Sequence, residues 1–195
     1  MTVPKVFQRL TSALGQAGIA YMLTGSFAGA YYGAPRTTQD IDLVIEATPG
    51  QLQTFVGILP GDEYYVDLES ALEAYKCQAM FNVVDLTTGW KIDLIVRKSR
   101  AFSKEEFERR KLIHLHDTVL YVASAEDVVV SKLEWGKLGQ SQRQIEDVAS
   151  ILRMCWSYLD HAYLEKWVSE LGRTAEWSDA RHKAGVSDSG GIGSQ

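Results

Sequence analysis

The sequence predicts an α+β protein: a small mixed sheet with helices packed around it, then a helical C-terminal part. Three observations carry this. Segments of helical and of strand periodicity are interspersed through residues 1–122. Two strand-like runs, 79–86 and 90–96, flank Thr87-Thr88-Gly89 and read as a hairpin. From Ser124 onward the apolar residues recur at helical spacing, which gives a core over 1–122, a helical subdomain over 123–184 and a tail over 185–195.

Each element has a local reason. Over residues 4–17, Val6, Phe7, Leu10, Ala13, Leu14 and Ala17 recur at helical spacing. Pro4 suits the first turn of that helix and Gly18 its end. Residues 20–24 read as a strand, 26–32 as a short helix and 33–36 as a loop. Residues 40–46 are a strand, and Thr48-Pro49 opens a helix over 49–58. Pro60-Gly61-Asp62 is a turn. Residues 67–76 place Leu68, Ala71, Leu72 and Tyr75 on one helical side. Ser103, with Glu106 three later, is a capping box that opens a helix to about residue 113. A strand follows at 119–122. Ser124, with Asp127 three later, starts a helix through Lys137 that Gly139 ends, and further helices cover 141–155, 160–171 and 174–183. The Gly/Ser-rich tail is expected to be flexible.

The totals narrow the function. The 195 residues suit one domain, with or without a small appendage. No apolar run approaches bilayer length and the first residues lack a secretory core, so a cytoplasmic protein with no membrane partner is expected. Cys77 and Cys155 have no metal or redox spacing and read as reduced, buried thiols. The net charge of −5 argues against a broad nucleic-acid surface, and no DNA partner is expected. The densest basic stretch, from Arg97, Lys98, Arg100 and Lys104 to Arg109, Arg110 and Lys111, reads as a solvated helix face.

The chemistry concentrates in residues 23–45. Asp40 and Asp42 alternate with Ile41 and Leu43, so on a strand both carboxylates share one face. Two such carboxylates repel unless a cation or a proton sits between them. Mg²⁺ is the natural neutraliser, since it takes oxygen ligands and leaves room for phosphate oxygens. A pair of solvated acids at a strand end is the plain alternative, yet Asp42 interrupts a run that otherwise wants burial. Asp93 interrupts a second apolar strand in the same way, Ile92-Asp93-Leu94-Ile95 echoing Ile41-Asp42-Leu43-Val44. If the strands are neighbours, three carboxylates surround one or two metal ions, and one of them can accept a proton from an attacking hydroxyl. Gly25-Ser26 marks a strand-to-helix turn where backbone N–H groups and a hydroxyl can meet a phosphate, though the pair is equally a good N-cap. Arg36 can clamp a triphosphate or pair with Asp40.

Gly-Ser, a spacer, Asp-x-Asp and a third Asp on a later strand together resemble the nucleotidyltransferase superfamily with the DNA polymerase β-like fold. The run from Arg36 to Asp42 is most similar to small bacterial nucleotidyltransferases related to the abortive-infection toxins of type IV toxin–antitoxin systems. The core of the likeness covers about residues 20–96 and extends through Ser124, Asp127, Lys132, Arg143 and Asp147. It implies a nucleotidyltransferase-type mixed sheet. It also implies transfer of an NMP from an NTP to an acceptor hydroxyl, with one or two Mg²⁺ (Mn²⁺ substituting) held by Asp40, Asp42 and Asp93. Asp93 completes the metal site or acts as general base. Gly25 and Ser26 hold the phosphates, Lys132 contacts phosphate and Asp147 lies nearby. The acceptor is tRNA or another macromolecule, as in a toxin paired with an antitoxin protein, or a small hydroxylated molecule. The alternative is a non-catalytic module that keeps the fold and binds a nucleotide or a protein.

Other residues have plainer readings. Lys132, at the edge of an apolar stripe, equally snorkels to water. Arg143 and Asp147, four apart, suit a surface ion pair. His114 and His116 alternate without a third ligand and read as structural. Trp135, Trp156, Trp167 and Trp177 read as packing residues.

Overall fold

The computed structural model describes residues 3–115, 118–135 and 141–186. Its elements are α1 (Val3–Gln16), β1 (Ala20–Leu23), α2 (Gly25–Tyr31), β2 (Asp40–Glu46), α3 (Pro49–Ile58), β3 (Tyr64–Val66), α4 (Leu68–Cys77), β4 (Met80–Asp85) and β5 (Lys91–Val96). These are followed by α5 (Ala101–Glu108), β6 (Lys111–Leu115), β7 (Thr118–Val122), α6 (Ala125–Trp135), α7 (Ser141–Cys155), α8 (His161–Glu170) and α9 (Thr174–Ala184). Two units emerge: Met1–Ala28 with Arg36–Ser124, and Gly29–Pro35 with Ala125–Gln195.

The first unit holds one seven-stranded sheet in the order β3-β4-β5-β2-β1-β7-β6. It is mixed: β2 runs parallel to β5 and antiparallel to β1, and β1 runs parallel to β7. β2 is therefore the central strand. The expected hairpin is present as the antiparallel pair β4 and β5.

Alternation along the strands decides which face is covered. Ile41, Leu43 and Ile45 of β2 pair with Ile92, Leu94 and Val96 of β5, and Phe81 and Val83 of β4 pair with Leu94 and Ile92. All eight are buried, on the face covered by helices. α4 packs on β4 and β5, α1 on β1 and β7, and α3 lies against both helices. Burying one such side chain is worth about 1.5–3 kcal/mol. Slipping a strand by one residue would turn that whole set outward. The apolar alternation thus locks the register, and with it the polar residues between.

One strand lies beyond the expectations and another begins earlier than expected. β3, three residues long, is held by its pairing with β4 rather than by its own pattern. β6 begins at Lys111, where a helix to about residue 113 was expected, and α5 stops at Glu108. The Ser103–Glu106 capping box does not form. Arg100 is the N-cap, and the buried Ser103 hydroxyl accepts from Arg100 Nε at 3.0 Å. Beyond Arg110, Leu112 and Ile113 pair with Tyr121 and Leu120, so tertiary pairing overrides local helix preference. At α3 the box does form, with Thr48 and Gln51 capping each other reciprocally.

Three surface expectations are corrected. Cys77 is exposed at the end of α4 and Cys155 is half-buried; no disulfide joins them. Trp135 is exposed, whereas Trp167 and Trp177 are buried. The basic stretch is not a simple solvated face. The Arg97 and Arg110 guanidiniums lie over the Phe107 ring, at 5.9 and 4.3 Å from its centroid, and only the lysines among these residues are exposed.

Asp85 closes the hairpin from inside. Fully buried, its Oδ1 accepts from Thr87 N, Thr87 Oγ1 and Thr88 N at 2.9, 2.6 and 3.1 Å. Burial alone would raise its pKa; the Thr87 and Thr88 hydrogen bonds and the Arg9 charge outweigh that and hold it below 3.8. A depressed carboxyl contributes stability above its unfolded pKa and loses it as the pH falls through its folded pKa. Asp85→Ala should therefore cost about 2 kcal/mol in urea unfolding at neutral pH. The gap from wild type should shrink as the pH falls below 3.8.

The second unit is helical. α6 buries residues on nearly every side, Glu126, Asp127 and Lys132 among them. Glu126 Oε1 accepts from Asp160 N at 3.1 Å, and Asp127 Oδ1 accepts from Tyr163 Oη at 2.5 Å. Residues 29–35 are fitted against α6 and α7. A Cβ on Gly29 would come within 2.9 Å of Lys132 Cε, and one on Gly33 within 2.5 Å of Met154 Cγ. The Gly139 stop, His116 and residues 187–195 of the expected tail lie outside the described residues. Among the described residues no helix is long and apolar enough to cross a membrane.

Candidate active site

The register that buries Ile41 and Leu43 places Asp42 directly opposite Asp93 on the parallel neighbour. Adjacent strands lie about 4.8 Å apart. Like charges directly opposite each other are destabilising. Asp40, two residues before Asp42, shares that face and pairs in register with Lys91. From the other side Asn82 of β4 pairs with Asp93. Asp40, Asp42, Lys91, Asp93 and Asn82 thus form one polar patch on the side of the sheet opposite its apolar core. Asp40 and Asn82 are exposed, Asp42 and Lys91 half-buried, and Asp93 is buried at 7% exposure.

Gly25 meets this patch at close range. β1 ends beside β2, where Thr24 N donates to Asp42 O at 2.9 Å. The chain then turns at Gly25 with φ +63°, and a Cβ there would lie 2.0 Å from Asp42 Oδ2. Both the backbone conformation and the space demand glycine. Ser26 beside it is buried. Phe27 anchors the turn, its ring 5.2 Å from Phe7 and 5.7 Å from Trp90, the residue just before β5. The structure puts Gly25 flush against Asp42, because β1 and β2 are neighbours.

Lys91 and Asn82 were missed by sequence reasoning. Lys91 Nζ lies 3.0 Å from Asp93 Oδ1 and 3.1 Å from Oδ2. Asn82 Nδ2 donates to Asp93 Oδ1. The hydrogen bond to Asp93, opposed by partial burial and aided by the charges of Asp93, Asp40 and Asp42, raises the Lys91 pKa. The signal for Lys91 was present: it stands two residues before Asp93 on a strand and so shares its face. Asn82 is visible only through the hairpin register.

The other sequence candidates fall elsewhere. Arg36 is half-buried in the first unit, ahead of β2. Lys132 and Asp147 pair with each other in the second unit, Nζ to Oδ2 at 2.7 Å, and Lys132 Nζ also donates to Gln144 Oε1 at 3.3 Å. Lys132 is buried rather than snorkelling, and Asp147 takes it as ion-pair partner in place of Arg143, which is exposed.

Oxygen donors from register-matched carboxylates suit a hard divalent cation such as Mg²⁺ in their chemistry. As the side chains lie, no group of three or more His, Cys, Asp or Glu among the described residues is gathered closely enough to hold an ion. Lys91 and Asn82 engage Asp93 instead.

Comparison with solved structures identifies the architecture. An antigenic nucleotidyltransferase-like protein from Paracoccidioides brasiliensis superposes with TM-score 0.54 at 14% identity, over 92% of each chain. The antibiotic-resistance factor ANT(2'')-Ia superposes with TM-score 0.56 at 14% identity, over 91% of this chain and 96% of that one. The fold is of the nucleotidyltransferase type. No protein-family model matches the chain, and no curated relative matches it in sequence.

Proposed function

We propose that the chain transfers an NMP from an NTP to an acceptor hydroxyl. The supporting observation is the enforced opposition of Asp42 and Asp93 at the centre of the sheet, with Gly25 flush against Asp42. Two carboxylates kept face to face repel unless a cation or a proton sits between them, and a metal ion carrying phosphates is such a cation.

In this reading Asp40, Asp42 and Asp93 hold Mg²⁺, with Mn²⁺ able to replace it. When bound, the ion supplies charge stabilisation at the reacting α-phosphate. The backbone at Gly25-Ser26 lets the triphosphate approach closely, and Arg36 pairs with its oxygens. Asp93 takes the proton of the acceptor hydroxyl. The acceptor oxygen bonds to the α-phosphorus, the bond to the bridging oxygen of the β-phosphate breaks, and pyrophosphate carries that electron pair away.

Two acceptor classes are carried. RNA, tRNA among it, follows from the toxin-like motif around Arg36 and Asp42, and brings an antitoxin partner with it. A small hydroxylated molecule is favoured by the net charge of −5 and by the likeness in fold to an antibiotic-resistance factor. Incubation with each α-labelled NTP, Mg²⁺ and either total RNA or a panel of small hydroxylated compounds separates them by which fraction takes the label. Toxicity on expression, relieved by Asp42→Ala, would select the toxin reading. A second reading, a non-catalytic nucleotide-binding module, is favoured by the pairing of Asp93 with Lys91. NTP binding without pyrophosphate release from any acceptor would establish it.

A further inference from the structure

The acidic patch already contains a cation of its own. Lys91 Nζ straddles the Asp93 carboxylate at 3.0 and 3.1 Å, and its strand position pairs it with Asp40. A divalent ion between Asp42 and Asp93 and an ammonium this close to Asp93 repel each other strongly in a half-buried site. The ammonium must leave when the ion enters. It is free to do so. The Lys91 side chain is 42% exposed and its flexible four-carbon stem carries three donors that suit any oxyanion. A triphosphate offers such oxyanions and brings its own negative charge.

We infer that Lys91 is a positioning residue that couples metal loading to nucleotide loading: its ammonium neutralises the Asp93 side of the patch in the nucleotide-free protein and moves onto the triphosphate when NTP and metal bind together. The inference rests on the metal-site reading above. Removing the ammonium removes the competitor for metal and also the nucleotide's reward for binding with it. The two ligands then become less interdependent, and by linkage each loses the same factor of help from the other.

The test is Mn²⁺ binding, followed by electron paramagnetic resonance of the free ion, to wild type, Lys91→Met and Lys91→Arg. Each is titrated with and without an NTP analogue whose α,β-bridge cannot be cleaved. Without nucleotide, Lys91→Met should bind Mn²⁺ about 10-fold more tightly than wild type, with Lys91→Arg close to wild type. With the analogue, the gap should close. Adding Asp93→Asn to Lys91→Met should abolish the gain. Lys91→Gln serves if Lys91→Met fails to fold. Mn²⁺ binding to wild type that is unchanged or weakened by Lys91→Met, or a gap that persists with the analogue, overturns the Lys91 role and leaves the metal site standing. No Mn²⁺ binding to any variant, with or without nucleotide, overturns both.

Discussion

Asp42→Asn should reduce nucleotidyl transfer by roughly 10³-fold or more while leaving thermal unfolding unchanged or slightly raised. In the proposed reading the loss follows from removing a charged oxygen donor to the ion, an effect worth several kcal/mol in the transition state. The retained stability follows from the strand's construction. β2 is held by Ile41, Leu43 and Ile45 on the covered face, none of which touches solvent, whereas Asp42 is half-buried opposite another carboxylate. Neutralising one of two opposed charges relieves repulsion. Initial rates and a melting curve on the same preparation check both halves. Unimpaired transfer would remove Asp42 from the chemistry, and collapse of the fold would mean the residue is structural.

Gly25→Ala should be the most damaging single-methyl change in the first unit. A non-glycine residue at φ +63° costs about 1 kcal/mol on its own. The added carbon would also lie 2.0 Å from Asp42 Oδ2 and 2.6 Å from its Cγ. Either the turn moves or the carboxylate rotates away, and overpacking of this kind costs about 1–3 kcal/mol. A total near 2–4 kcal/mol should appear in urea unfolding, with activity lost beyond what the unfolded fraction explains. Gly15, in α1 with open space around it, supplies the control: Gly15→Ala should leave activity unchanged and raise stability by up to about 1 kcal/mol. Equal effects at the two positions would mean that the contact with Asp42 has no part in the site.

These expectations show where sequence reading succeeds. The strand at 40–46 was legible because Ile41, Leu43 and Ile45 recur at every second position and the two acids alternate with them at its start. The helix at 49–58 was legible because Thr48, Pro49 and Gln51 form a local cap. Asp42 and Asp93 were linked by echoing text, and the same apolar pattern that repeats around them aligns their strands. What escaped was non-local. β6 exists because Leu112 and Ile113 find partners on β7, and β3 because β4 offers it an edge. Lys132 was open between a snorkelling lysine and a phosphate contact, since its partner Asp147 is fifteen residues away on another helix. Lys91 was the more instructive miss. Its place two residues before Asp93 puts it on the acidic face, a position the strand pattern alone already gave.

The distribution of label between products tests the central claim most directly. Wild type is incubated with Mg²⁺, acceptor and either α-labelled or γ-labelled NTP, alongside Asp42→Asn. The account predicts that only the α-label enters the acceptor, that the γ-label leaves in pyrophosphate, and that both signals vanish in the variant. Entry of the γ-label into the acceptor, or α-label transfer undiminished in Asp42→Asn, would contradict it.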